Sequence, residues 1–197
     1  MKFTLGVDEA GRGPLAGPVA VGGVCAVEGF AIAREFPGVA DSKKLSEKKR
    51  EALYDMLVAR AAQGDVRFTV AFESADMIDR EGIVPAVERA LAQVVTVLAP
   101  DARQVHVQLD GALRAPAQYA QETIVHGDAL VPIISLASIA AKVERDRVMC
   151  ALAETYPEYG FAGHKGYGTK AHYAALEKYG LCAIHRRSFL HLAMSAL

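Results

Sequence analysis

Cysteine is scarce. Cys25, Cys150 and Cys182 are the only three in 197 residues, far apart and without CxxC spacing. A disulfide framework and a thiolate zinc site are both excluded on that count. An excess of one charge is also missing: 22 Lys and Arg stand against 23 Asp and Glu, a formal net charge of -1. This excludes a polybasic chain that binds through bulk charge, though not a local basic surface. The longest apolar stretch, Pro14 to Val27, is too short to span a bilayer and is interrupted by Gly17, Pro18, Gly22 and Gly23. The start, Met1-Lys2-Phe3-Thr4, lacks the basic-then-apolar pattern of a signal peptide. A soluble cytoplasmic protein with no membrane association is therefore expected. There is no Gly-Lys-Ser or Gly-Lys-Thr, which excludes a P-loop, and there is no repeat or low-complexity linker.

What is present fits one domain over residues 1–197. Hydrophobic residues make up 52% and charged residues 23%, a globular balance. Phe3 to Asp8 and Pro18 to Val27 read as strands. Arg67 to Phe72 and Gln104 to Leu109 alternate with period two, and Glu122 to Val125 is a weaker strand. A charged helix lies between the second and third strands, with Ser46 as N-cap and Leu53, Met56 and Leu57 on its apolar face. A helical region spans Asp76 to Leu98 with a break near Gly82 or Pro85. A long helix runs from Ile133 to Thr155. A Gly/His/Lys-rich loop (Gly160 to Gly168), a short helix at Lys170 to Tyr179 and an apolar segment from Phe189 complete the chain. The order suggests a mixed sheet covered by helices.

Acidic residues gather at strand ends, where α/β proteins commonly place their chemistry. Asp8 and Glu9 end the first strand in GVDEAGRGPLAGPV, and Asp110 ends a later one in VQLDG. Neighbours in a regular strand face opposite ways, so Asp8 and Glu9 share a site only if the chain turns there, and Gly11 and Gly13 permit that. On the long helix, Ser135, Ser138, Lys142, Arg145, Asp146 and Met149 fall within an arc of about 100°. Ser138, Lys142 and Asp146 form an i, i+4 ladder, which taken alone is an ordinary surface pair. Three Asp and one Glu without a His or Cys cluster suit a hard divalent cation such as Mg²⁺ or Mn²⁺.

Gly11 to Ala16 also fits G-x-G-x-x-A, but Asp8 and Glu9 would repel a pyrophosphate and the next segment reads as strand rather than helix. A nicotinamide oxidoreductase is a rival that this argues against. Lys43 and Lys44, in ADSKKLS, could reach a phosphate from a loop. Tyr167, between Gly166 and Gly168 in GHKGYGTKAHY, could lay its ring on a sugar or base, or be a turn tyrosine packed on the core. His126 and His185 read as structural or surface histidines.

Together these segments resemble the type 2 ribonucleases H, specifically bacterial ribonuclease HII. The matching pieces are GVDEAGRGPLAGPV, ADSKKLS, LDG, GDA, ASIAAKVERDR, GHKGYGT and HRRSF, in order from residue 6 to 189. The resemblance implies an RNase H-like α/β fold, a central mixed sheet flanked by helices. A helical and loop extension from about residue 160 to 197 would contribute to substrate binding. It matches Asp8, Glu9, Asp110 and Asp146 with catalytic, metal-binding carboxylates. Gly11, Arg12 and Gly13 match a turn that contacts the ribose 2′-hydroxyl, Tyr167 a residue that senses the junction of ribonucleotide and deoxyribonucleotide, and Lys43 a phosphate contact. Ser138 and Lys142 join the expected substrate-binding set. His126, Gly163 and Leu190-His191 depart from the pattern of the family.

The implied activity is hydrolysis of the phosphodiester 5′ to a ribonucleotide, in RNA–DNA hybrid or in duplex DNA with an embedded ribonucleotide. It would use two Mg²⁺ or Mn²⁺ ions, with Asp8 between them, and leave 3′-hydroxyl and 5′-phosphate ends. A proton-shuttle role for His164 is weakly motivated. The chain is expected to act as a monomer. The alternatives are another RNase H-like nuclease, such as a DNA-junction resolvase, and a non-catalytic nucleic-acid-binding module.

Overall fold

The computed structural model describes residues 2–39 and 44–194, with side chains to residue 190. Strands β1 (Phe3–Ala10) and β2 (Val19–Val27) pair antiparallel, from Phe3 opposite Val27 to Ala10 opposite Ala20. β1 thus runs past Asp8 and carries both acids inside the strand. Beyond Gly13 the chain makes an isolated bridge at Ala16 and enters β2. No helix follows the glycines, so the dinucleotide-binding geometry is not built.

A single turn, α1 (Ile32–Glu35), precedes α2 (Glu47–Ala62). Ser46 caps α2 as expected, its hydroxyl accepting the Lys49 N–H. The buried face is Leu53, Tyr54 and Leu57, while Met56 is only partly covered. β3 (Val66–Glu73) pairs antiparallel with β2. The following helical region divides into α3 (Ala75–Glu81) and α4 (Ile83–Leu98) at Gly82, which has φ +93°. Pro85 then falls in the first turn of α4, where its missing N–H costs no helical hydrogen bond. β4 (Val105–Asp110) and β5 (Ala120–Ile124) follow, then α5 (Gly127–Leu130), α6 (Pro132–Thr155), α7 (Phe161–His164), α8 (Lys170–Tyr179) and α9 (Arg187–Met194).

The described strands form a five-stranded sheet in the order β3-β2-β1-β4-β5. β1, β4 and β5 are mutually parallel; β2 runs antiparallel to β1, and β3 antiparallel to β2. The expected mixed sheet flanked by helices is therefore present. On one face α4 packs over Leu5, Val7, Val21 and Cys25. On the other, α6 and α2 pack over Val24 and Val66. The approach of α6 is close enough to demand glycine. A Cβ on Gly6 would lie 2.6 Å from the Ile133 carbonyl, and one on Gly22 would lie 2.5 Å from the Ala137 carbonyl oxygen. This contact also turns the polar arc of α6 inward. Ser135, Ser138, Arg145 and Asp146 are all buried, so the arc is not a solvated surface. A third, smaller cluster joins Ala16 and Met149 to Tyr159, Phe161 and Ala175 and docks the C-terminal segment onto the α6 end of the sheet.

Candidate active site

The parallel direction of β1, β4 and β5 brings their C-terminal ends to one side of the sheet. The β1–β4 ladder stops at Val7 opposite Leu109, one residue short of Asp8 and Asp110. Just past the end of β5, α5 supplies Asp128. One carboxylate oxygen from each of Asp8, Asp110 and Asp128 lies within 4.8 Å of the other two. The Asp128 N–H donates to Asp110 Oδ1 at 3.2 Å, and its carbonyl accepts the Ser135 hydroxyl at 2.7 Å. α5 is thereby fixed between β4 and α6.

Asp8 is buried. It accepts the Glu9 N–H at 2.7 Å and a hydrogen bond from Ser138. Burial pushes its carboxyl up to about 8, and the charges of Glu9 and Asp110 add to the rise that the Ser138 bond opposes. Burial also raises Glu9, with Arg12 opposing and Asp110 reinforcing. Arg12 Nη1 stands 3.4 Å from Glu9 Oε1. The other oxygen, Oε2, is buried with no hydrogen-bond partner among the described residues. Crowded, desolvated carboxylates of this kind are unfavourable as bare anions. An all-oxygen donor set with an orphaned buried oxygen beside it fits a hard divalent cation.

Asp146 stands elsewhere. Its carboxylate accepts Lys142 Nζ at 2.7 Å, so the i, i+4 pair forms as the helix spacing suggests. It lies two turns beyond Ser138, about 12 Å along the helix axis, and is outside the ion-sized group. The fourth acid that sequence reasoning took from α6 thus gives way, in this geometry, to Asp128. The signal for Asp128 was available: it follows a parallel strand end as Asp8, Glu9 and Asp110 do, in the GDA segment.

Beside the acids opens a pocket of about 230 Å³, lined by Glu9, Ala10, Gly11, Arg12, Gly13, Ser138, Lys142 and Tyr167. Six of the expected substrate-binding residues therefore share one wall system. Lys43 lies outside the described residues. Gly11 takes φ +90°, and a Cβ there would lie 2.0 Å from Arg145 Nε. Tyr167 is 43% exposed, its ring 5.9 Å from the Arg145 guanidinium. Gly166, φ +86°, sets the ring's position, because a Cβ there would lie 2.3 Å from the Ala16 carbonyl oxygen.

Three histidines support this loop, and their hydrogen bonds define their tautomers. His164 Nε2 donates to the Tyr159 carbonyl at 2.7 Å, and its Nδ1 accepts the Gly166 N–H. Both nitrogens are engaged, which leaves none to shuttle a proton. His172 Nδ1 donates to the Tyr167 carbonyl at 3.0 Å. Its Nε2 then accepts from His185 Nε2 at 3.0 Å, and His185 Nδ1 accepts the Cys182 N–H at 2.9 Å. His185 is buried, as a structural histidine.

Two arginines that sequence reasoning did not single out are almost wholly buried. Arg145 donates to the carbonyls of Pro18, Lys165 and Ala16. Arg186 donates to those of Gly17, Arg12 and Gly11. Neither has a carboxylate in ion-pair contact among the described residues. Burial lowers both, Arg186 to about 9, where it stays cationic at neutral pH.

The family model for Ribonuclease HII matches residues 5–192. Ribonuclease HII of Burkholderia ambifaria is 49% identical over 188 residues, covering 95% of this chain and 82% of the relative. The chain superposes on ribonuclease HII of Archaeoglobus fulgidus, solved as a complex with PCNA, with a TM-score of 0.75 and 24% identity over 94% of each chain. It also superposes on Bst-RNase HIII solved with Mn²⁺, with a TM-score of 0.66 and 17% identity over 99% of this chain and 70% of that one. The two structures share the RNase H-like fold, and on the strength of the family match over nearly its whole length the chain belongs to the ribonuclease HII family and is a ribonuclease H.

Proposed function

We propose that this ribonuclease H hydrolyses the phosphodiester 5′ to a ribonucleotide, in RNA–DNA hybrid and at single ribonucleotides in duplex DNA, leaving 3′-hydroxyl and 5′-phosphate ends. The observation that carries the reading is the carboxylate group of Asp8, Asp110 and Asp128 beside a pocket lined by Gly11, Arg12, Gly13 and Tyr167. Asp8, Asp110 and Asp128, with Glu9 alongside, would hold two divalent ions, Mg²⁺ or Mn²⁺. When bound, such ions lower the pKa of an attacking water and stabilise charge on the leaving 3′-oxygen.

The chain's own groups do the rest. Ser138 holds the Asp8 carboxylate by a hydrogen bond, and the Glu9 N–H does the same from the other side. Lys142, fixed by Asp146, presents its ammonium to the scissile phosphate from the pocket wall. Arg12 and its neighbouring amides meet the 2′-hydroxyl, the group that separates RNA from DNA. Tyr167 offers its exposed ring to the sugar that follows. The segment from about residue 160 onward, which carries Tyr167 and closes over Ala16, completes the substrate-binding surface of a single domain. Among the described residues no helix is long and apolar enough to cross a membrane, and the reading places the protein in the cytoplasm as a monomer.

A cleavage assay tests this. One embedded ribonucleotide, a long RNA–DNA hybrid, an all-DNA duplex and a DNA junction are compared in Mg²⁺, in Mn²⁺ and in chelator. Cleavage of the first two alone, lost in chelator, is expected. Cleavage of the DNA junction without a 2′-hydroxyl would assign the site to a resolvase instead.

A further inference from the structure

Arg186 is fully buried; its guanidinium lies 5.2 Å from the Phe189 ring centroid and hydrogen-bonds three backbone carbonyls. Nη2 donates to Gly11 at 2.7 Å, Nη1 to Arg12 at 3.0 Å and Nε to Gly17 at 3.0 Å. The first two carbonyls belong to successive peptide groups in Gly11-Arg12-Gly13. No cis peptide occurs among the described residues. In a planar trans peptide the N–H points opposite to the C=O. With the carbonyls of Gly11 and Arg12 both drawn to one guanidinium, the N–H groups of Arg12 and Gly13 both point away from it. In an extended strand successive N–H groups alternate in direction; here two successive carbonyls on one guanidinium mean that the alternation is broken at Arg12. Among the described residues neither N–H donates to a backbone acceptor. The pocket shared by Gly11, Arg12, Gly13 and Tyr167 does not include Arg186 in its wall.

We infer that Arg186 is a positioning residue for ribonucleotide recognition, holding the Arg12 and Gly13 N–H groups in the pocket as a paired donor for the 2′-hydroxyl oxygen. This rests on the ribonucleotide reading above. Successive N–H groups turned the same way form a concavity that suits an electronegative oxygen. A cation on the carbonyl side polarises each peptide and strengthens its N–H as a donor. Pro14, which has no N–H, ends the donor run at Gly13. The position of Arg186 is itself secured. Its N–H donates to the Leu15 carbonyl at 2.8 Å, and Asp79 accepts the N–H groups of Arg187 and Ser188 at 2.8 and 2.9 Å. Lysine would keep the charge but not the planar fork that reaches the three carbonyls.

Arg186→Lys separates these roles. Affinity is measured for two duplexes that differ by one 2′-hydroxyl, with Ca²⁺ in place of the catalytic ion, alongside a Mn²⁺ titration of the protein alone. Wild type is expected to prefer the ribonucleotide duplex, and the variant to lose about tenfold of that preference, the loss of two hydrogen bonds. Binding of the all-DNA duplex and of Mn²⁺ should stay within about twofold, because the guanidinium bonds none of the acids and is not itself part of the pocket wall. A variant that folds and keeps the full preference overturns the inference and leaves the functional reading standing. No preference in wild type overturns the functional reading itself, and this inference with it. If Arg186→Lys does not fold, amide NMR on wild type reads the same point. The Arg12 and Gly13 amide signals should move with the ribonucleotide duplex and not with its all-DNA counterpart. Equal response to both, or none, overturns the inference.

Discussion

Tyr167 illustrates how a single side chain here is placed by everything except its own packing. Its ring is 43% exposed, yet its backbone is tied by the His172 imidazole at its carbonyl and by the His164 carbonyl at its N–H. A ring held this way is free to meet a ligand without deforming the loop. Truncation to alanine should therefore leave stability within about 0.5 kcal/mol, as for a surface change. It should lower cleavage at a single ribonucleotide by about tenfold or more, the value of a lost sugar or base stack. Kinetics on single-ribonucleotide and long-hybrid substrates check this, and an unchanged preference for the junction would remove Tyr167 from recognition. Much of the residue-level site was legible in the sequence, because GVDEAGRG, LDG and GHKGYGT carry unusual residue types at turn positions. Arg145 and Arg186 were not legible. Their partners are carbonyl oxygens, which every residue has, and the donors and acceptors are up to 175 positions apart. No side-chain pattern announces such a bond.

At the scale of elements, legibility followed burial. β3 and β4 declare themselves by alternation, and Ser46 marks the start of α2. β5 does not, because Ala120–Ile124 is an edge strand with little of its surface covered. An indistinct strand has an indistinct end, and Asp128 was passed over for that reason. The arc on α6 was legible as an arc but not as an inward one, since Ser, Lys and Asp at helical spacing ordinarily face water. Glycine in the facing strands decides the matter. Gly22→Ala should destabilise the protein by about 1–3 kcal/mol, the usual effect of overpacking against backbone, with denaturant midpoints as the measure. A wild-type midpoint would contradict the close approach of α6.

The His172–His185 pair makes a second element-level prediction. Burial lowers His185 from 6.5 to about 4, with His172 adding to the effect and the nearby Cys182 carbonyl opposing it, and burial lowers His172 in the same direction. Folded histidines with depressed pKa values bind fewer protons than unfolded ones. Their stabilising contribution is complete above about pH 6.5 and is lost as pH falls towards 4. The His185 shift corresponds to about 2 kcal/mol less stability at pH 5 than at pH 7. Denaturation with the divalent ions removed, in wild type and in a His185→Gln variant, checks this. An equal pH dependence in both would contradict it.

Over the whole molecule the balance of 22 basic and 23 acidic residues describes no surface in particular. The acids at the strand ends are desolvated and crowded, and cations held there would turn a repelling patch into an attracting one. Among the described residues two cations, Arg12 and Lys142, border the pocket. Binding of the all-DNA duplex should accordingly depend on salt with a slope of about -2 in log K against log salt, about two phosphate contacts' worth. A slope near zero would show that phosphates are not engaged.

The central claim is that three parallel strand ends, β1, β4 and β5, bring Asp8, Asp110 and Asp128 to one ion-holding point while Asp146 serves Lys142. The most direct measurement is the cleavage rate of a duplex with one embedded ribonucleotide by Asp128→Asn and by Asp146→Asn, each with a Mn²⁺ titration. Asp128→Asn should lose about two orders of magnitude or more in rate together with Mn²⁺ affinity, and Asp146→Asn should keep its Mn²⁺ affinity and lose less. The reverse ranking, with Mn²⁺ bound normally by Asp128→Asn and lost by Asp146→Asn, would contradict the account.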